Sequence, residues 1–206
     1  MRFPIPLQTG SYAAPNAEVY YPVVYGLPDR AAQDRMNAAI RTLTHALIQE
    51  QQGGAWQPGA PSAEMTGLYE IKTNERGVLS LTMSNYAYTP PAAHGMTRLG
   101  SLTFDAATGA SFTLSQLFRP GTDYAARIDA AVRAQIAERD IPLIAEFQGI
   151  APEQPYYVAD KALVVYFQLY ELTPYVYGFP MFPISVYALQ DAVVEDGPLG
   201  RMIPGA

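Results

Sequence analysis

From Glu18 to Tyr25 the chain is rich in β-branched and aromatic residues, a strand pattern that Gly26-Leu27-Pro28-Asp29 breaks, leaving Asp29 where a helix N-cap belongs. Beyond it Met36, Ile40, Leu43 and Leu47 recur at spacings of four, three and four, so they share one face of a helix expected over about 30–51. Gly53-Gly54 ends that helix. Residues 53–62 hold three glycines and two prolines and read as a loop around Trp56, expected to fold back onto the core.

Three strand patterns follow, at 65–73, 78–88 and 99–104. In the second, Leu79, Leu81, Met83 and Ala87 alternate with Ser80, Thr82, Ser84 and Tyr86, as in a sheet with one buried face. Asn74-Glu75-Arg76-Gly77 and Asp105-Ala106-Ala107-Thr108-Gly109 carry hairpin-turn chemistry, and such short connections favour antiparallel pairing. Thr122 stands as the cap of a second helix, in which Tyr124, Ile128, Val132 and Ile136 stack every four residues, and Pro142 ends or kinks it. After a loop at 148–155, residues 156–158 and 163–170 read as a hairpin around Ala159-Asp160-Lys161. A last strand is expected at 182–189.

This order predicts an α+β fold, a curved antiparallel sheet with two helices packed against it. Residues 1–206 read as one compact unit built from two interlocked submodules, about 18–114 and 115–190, with a loose tail at 191–206.

Composition narrows the function classes. Apolar residues at 49% and charged residues at 16% support a packed core. The net charge is −6, with eleven arginines, two lysines and no basic stripe, which argues against nucleic acid as a partner and leaves room for a cationic one. Absent cysteine removes disulfides, thiolate nucleophiles and cysteine-ligated metal. The start, Met1-Arg2-Phe3-Pro4-Ile5-Pro6-Leu7, is broken by prolines where a signal peptide is continuously apolar, and no stretch reaches the ~18 apolar residues of a membrane span. As written, the chain reads as cytoplasmic.

Chemistry-bearing positions are few. His94, in the turn Pro90-Pro91-Ala92-Ala93-His94-Gly95, is a candidate acid, base or ligand, with a backbone-bonded turn histidine as the plainer reading. His45 and His94 lie 49 positions apart without metal-type spacing, so no metal site is expected and no cofactor is implied. Asp160 and Glu171 flank one expected strand at roughly 33 Å, too far apart for paired-carboxylate chemistry. Asp160 reads as a turn residue and Glu171 as an acceptor of backbone hydrogen bonds. The loop Thr173 to Pro183 concentrates Tyr175, Tyr177, Phe179 and Phe182 among prolines that include Pro174. Seven of the fifteen tyrosines fall between Tyr156 and Leu189. Rings supply contact area and prolines lower the entropy lost on immobilisation, so Tyr166, Tyr170, Glu171, Pro174, Tyr175, Tyr177, Phe179, Phe182 and His94 form the candidate ligand-binding set. The plainer alternative is that these rings close the end of the sheet as a minor core.

Two stretches carry a resemblance. One is Ala93-His94-Gly95-Met96 with Ser101-Leu102-Thr103-Phe104-Asp105, Thr108-Gly109 and Thr113-Leu114-Ser115-Gln116-Leu117-Phe118. The other is Tyr157-Val158-Ala159-Asp160-Lys161-Ala162-Leu163 with Tyr166-Phe167, Tyr170-Glu171-Leu172, Pro174-Tyr175 and Gly178. Together they resemble the C-terminal module of RsiV-like lysozyme-sensing anti-sigma factors and the accessory region of PdaC-like peptidoglycan deacetylases. The resemblance implies a non-enzymatic recognition domain whose partner is a protein, lysozyme among them, or a cell-wall glycan. Self-association into a homo-oligomer or binding of a cytoplasmic protein is an adjacent expectation, and a hydrolase using His94 with a nearby carboxylate is the alternative from another class.

Overall fold

The computed structural model describes residues 4–52 and 54–204. The expected helix stop at Gly53 and the reading of Met1 to Phe3 lie outside the described residues. The fold is α+β, and among the described residues it has a five-stranded and a three-stranded sheet, neither closed into a barrel, and three α-helices. By contacts the chain divides into two compact units, 1–111 and 112–206.

The first unit opens with β1 (Leu7–Ala14) and β2 (Ala17–Val24), an antiparallel hairpin closed by Pro15-Asn16, with Asn16 at φ 59°. Helix α1 (Arg30–Gln51) follows, and Asp29 caps it by accepting from the N–H groups of Ala31 and Ala32. Strands β3 (Glu64–Glu75), β4 (Val78–Tyr88) and β5 (Met96–Asp105) complete a sheet in the order β1-β2-β3-β4-β5. The sheet is not wholly antiparallel: β2 pairs with β3 in parallel over Ala17, Val19 and their neighbour Glu18. The reason is the connection. Short turns force antiparallel pairing for β3, β4 and β5, whereas α1 supplies the long crossover that parallel neighbours require. Met36, Ile40 and Leu47 of α1 pack with Leu79, Leu81, Met83 and Phe104, each burial contributing about 1.5–3 kcal/mol. Trp56 does fold back, packing with Val19, Ile48 and Met65 at 3% exposure.

β2 and β3 diverge after their three paired residues, which leaves the backbone of β2 open on that side. Asn37 of α1 closes it: its Oδ1 accepts from Val24 N–H at 2.8 Å and its Nδ2 donates to Val24 O at 2.9 Å. Asn74 holds Ile5 by the same pair of bonds, at 2.8 and 2.9 Å. Pro22 occupies a β2 position that donates to neither side. Gly109 sits at φ 69°, where an added Cβ would lie 2.2 Å from Ala32 O, so the turn after β5 admits no side chain against α1.

The second unit begins with a 3-10 turn (Ser115–Leu117) and α2 (Tyr124–Glu138). Asp123, not Thr122, caps α2 through Ala126 N–H, because the Thr122 hydroxyl donates to Arg119 O at 2.8 Å. Strands β6 (Tyr156–Ala159), β7 (Ala162–Tyr166) and β8 (Met181–Ser185) form an antiparallel sheet, and α3 (Val186–Leu189) follows. Two expected strands are shorter than their patterns. Residues 167–170 leave the sheet at a turn, and Ser185 caps a helical turn over residues that alternate like a strand. The tail is packed through residue 202, against the expectation of a loose one. Val193 bridges to Phe118, and Leu199 and Met202 are fully buried.

Replacing Asn37 with Ala strips Val24 N–H and C=O of both partners. We expect destabilisation of about 2–3 kcal/mol with an unchanged denaturant slope, measured by urea unfolding.

Candidate functional site

The aromatic residues of the second unit divide into two populations. Tyr166 and Phe182 are fully buried and do not face a partner, which corrects their place in the binding set. Tyr166 is a β7 residue opposite Met181, its ring 6.1 Å from that of Tyr157. Phe182 stands edge-on to Phe167 at 5.8 Å, and Phe167 stands edge-on to Phe147 at 5.9 Å. Arg139 lies over Phe182 at 5.6 Å and Arg133 over Phe147 at 5.2 Å, so this row of three rings carries a guanidinium at each end. For these residues the minor-core reading holds.

The second population is displayed. Tyr170 is 47% exposed, Val176 92% and Ile144 50%, while Pro174, Tyr175, Tyr177 and Phe179 are half-buried. Local geometry explains the display. Glu171 N–H donates to Gln168 O at 3.2 Å, and Glu171 Oε2 accepts from Gln168 N–H at 2.7 Å, closing a turn from both directions. Leu169 enters the core, and Tyr170, at the third position of the turn, adopts φ 65°. Glycine or asparagine ordinarily takes that position. A bulky side chain there costs about 1–3 kcal/mol.

Beyond the turn, Pro174 leads into a 3-10 turn (Tyr175–Tyr177) closed by Tyr177 N–H to Pro174 O and Gly178 N–H to Tyr175 O, each 3.0 Å. Val176 is its apex. The Tyr170 and Tyr175 rings lie 5.5 Å apart, and Arg139 Nη2 donates to the Tyr177 hydroxyl at 3.2 Å while Nη1 holds Met181 O at 2.9 Å. Ile144 joins the group through its N–H, which donates to Leu172 O at 3.1 Å. Ile144 and Val176 were missed at the level of sequence. The signal for Ile144 was the apolar Leu143-Ile144 pair directly after Pro142, where a broken helix had been read. Chemically the surface offers apolar area, phenol hydroxyls and the exposed Glu171 carboxylate.

His94 belongs to the first unit. It is exposed, with Nδ1 against Gly95 O at 2.8 Å, the arrangement of a turn histidine held by its own backbone. Among the described residues no three His, Cys, Asp or Glu side chains gather where they would hold a metal ion, and no helix is long and apolar enough to cross a membrane.

A separate open cleft of about 380 Å³ is lined by Arg119, Asp191, Glu195 and Ile203 among others. At its rim Arg127 makes two bonds to Asp191, at 2.6 and 2.8 Å, and holds that carboxyl below its ordinary range. The charged cleft and the aromatic loop share no lining residue.

The sequence model of DUF3298, a protein of unknown function, matches residues 115–187. No curated protein matches. A DUF3298 family protein from Pseudomonas aeruginosa PAO1 superposes with a TM-score of 0.69 at 17% identity, over 99% of this chain and 99% of that one. A DUF3298 family member from Bacteroides fragilis NCTC 9343 gives 0.66 at 13% identity, over 96% of this chain and 95% of that one. At these identities the likeness is one of fold.

The two populations of ring predict opposite outcomes. Tyr170→Asn relieves the left-handed strain and should leave the thermal midpoint unchanged or raised, whereas Phe182→Ala should cost about 3–5 kcal/mol, both measured by thermal and urea unfolding. The Arg127–Asp191 pair stabilises the fold above the ordinary aspartate range and loses that effect as pH falls through the lowered Asp191 value. The stability difference between the parent and Asp191→Asn should therefore shrink below about pH 4 and in high salt.

Proposed function

We propose that the second unit is a non-enzymatic recognition module that presents Ile144, Tyr170, Tyr175 and Val176, flanked by Tyr177 and Phe179, to a protein or a cell-wall glycan. The observation that carries this reading is the strained, half-exposed Tyr170, its ring 5.5 Å from that of Tyr175, in the segment that also exposes Val176. A half-exposed ring in the left-handed region and an exposed aliphatic apex are presented by a turn and a proline-led loop. Half-buried tyrosines around such an apex suit the enclosed contacts that dominate interface energies, and the prolines limit the ordering cost on binding.

The resemblance to RsiV-like and PdaC-like accessory regions supports lysozyme and peptidoglycan as the first ligands to test. A net charge of −6 favours a cationic protein over an anionic one. Lysozyme capture and sedimentation with peptidoglycan should both be compared for the parent protein, Tyr175→Ala, and Val176→Asp. We expect binding to at least one ligand, weakened tenfold or more by either substitution. Equal binding by all three proteins, or none to either ligand, removes the loop from this role.

A further inference from the structure

The displayed surface of the second unit draws on separate pieces of chain, among them Ile144 after α2 and the 3-10 turn Tyr175–Tyr177, and both of these lead back to the C-terminal end of α2. That end is closed by its own backbone. Arg139 is the C-cap, and Asp140 follows in the left-handed region at φ 48°. Asp140 N–H donates to Ala137 O at 3.4 Å and Ile141 N–H to Ile136 O at 3.1 Å, the two bonds of a Schellman closure, and Ile141 is buried. The place of Arg139 is thereby fixed. Three residues beyond Ile141, Ile144 N–H donates to Leu172 O at 3.1 Å, which secures one part of the surface.

The turn has a weaker hold of its own. Two backbone bonds of 3.0 Å close it, none of its three residues is buried, and Gly178 at φ 78° follows directly. A segment with few buried contacts and exposed backbone bonds opens readily. The guanidinium of Arg139 supplies a further tie, because it spans two acceptors: Nη1 donates to Met181 O at 2.9 Å and Nη2 to the Tyr177 hydroxyl at 3.2 Å. It also lies over the Phe182 ring at 5.6 Å, so β8, the buried aromatic row and the turn meet at one side chain. We propose that Arg139 is the positioning residue of the displayed loop, setting Tyr177, and with it Tyr175 and Val176, against Ile144 while leaving the rest of the unit to fold without it. The use of this position in binding rests on the recognition role given above; the positioning itself does not.

Magnitudes decide where the effect appears. Arg139 is open to solvent, so its bonds add little to the stability of the whole chain. Against the few interactions that keep a three-residue turn closed, two such bonds are a large share. Lysine cannot take the place of arginine here, because a single ammonium does not present a planar fork that reaches two acceptors and lies flat on a ring.

Amide hydrogen exchange on the full chain, followed residue by residue by NMR, reads turn opening directly. In Arg139→Ala the amides of Tyr177 and Gly178 should exchange about three- to tenfold faster than in the parent. The amides of Tyr166, Glu171 and Ile144, which donate to Pro155 O, Gln168 O and Leu172 O, should keep their parent rates, and the melting temperature should move little. Arg139→Lys should resemble Arg139→Ala. Tyr177→Phe removes one of the two acceptors, so combining it with Arg139→Ala should accelerate exchange at Gly178 by less than the product of the separate effects. Unchanged exchange at Tyr177 and Gly178 in Arg139→Ala overturns the proposal, as does full restoration by lysine. An acceleration spread evenly over the second unit also overturns it, since Arg139 would then support the fold and not the loop. No ligand enters the measurement, so a failure to bind lysozyme or peptidoglycan is told apart from a failure of the positioning.

Discussion

A backbone donor or acceptor removed from water must find a partner, and much of what distinguishes this molecule is the set of answers to that requirement. Where β2 and β3 part, the amide of Asn37 replaces the missing strand, and Asn74 does the same for the chain entering β1. Where β7 ends, Gln168 and Glu171 satisfy one another across a turn, at the cost of placing Tyr170 in the left-handed region. The same accounting covers the splayed sheet and the left-handed Tyr170.

The aromatic richness of the second unit has two physical uses. Three phenylalanines in edge-to-face contact, with an arginine at each end, build a small core beneath a sheet of only three short strands. That core holds β8 and, through Arg139, the backbone of Met181 and the hydroxyl of Tyr177. The displayed loop therefore rises from a packed base. Rigid support of this kind holds the half-buried rings in place, which is the preorganisation the proposed recognition role would draw on.

Much of the local structure was legible from spacing. Asp29 as the cap of α1, its span over 30–51, the β3–β4–β5 meander, Trp56 on the core and Glu171 as an acceptor of a backbone bond all follow from short-range rules. Strand β1 was not read. Its mild, small-residue pattern gave little hydrophobic signal, although Pro15-Asn16 before a clear strand was the available clue to a hairpin. The strand expected at 182–189 is a strand only as far as Ser185, which then caps a helical turn that buries Val186 and Leu189 at the i, i+3 spacing, so only the first half of the alternation is used as a strand.

What the sequence by itself determined is the α+β class, the position of most elements and the concentration of aromatic residues near the end of the chain, because periodicity and capping act over a few neighbouring residues. Only the tertiary structure decided that β2 and β3 run parallel, that Tyr166 and Phe182 are buried while Tyr170 and Val176 are displayed, and that Ile144 joins them. Those outcomes depend on which backbone groups remain unpaired after distant strands meet, and no local pattern records that remainder.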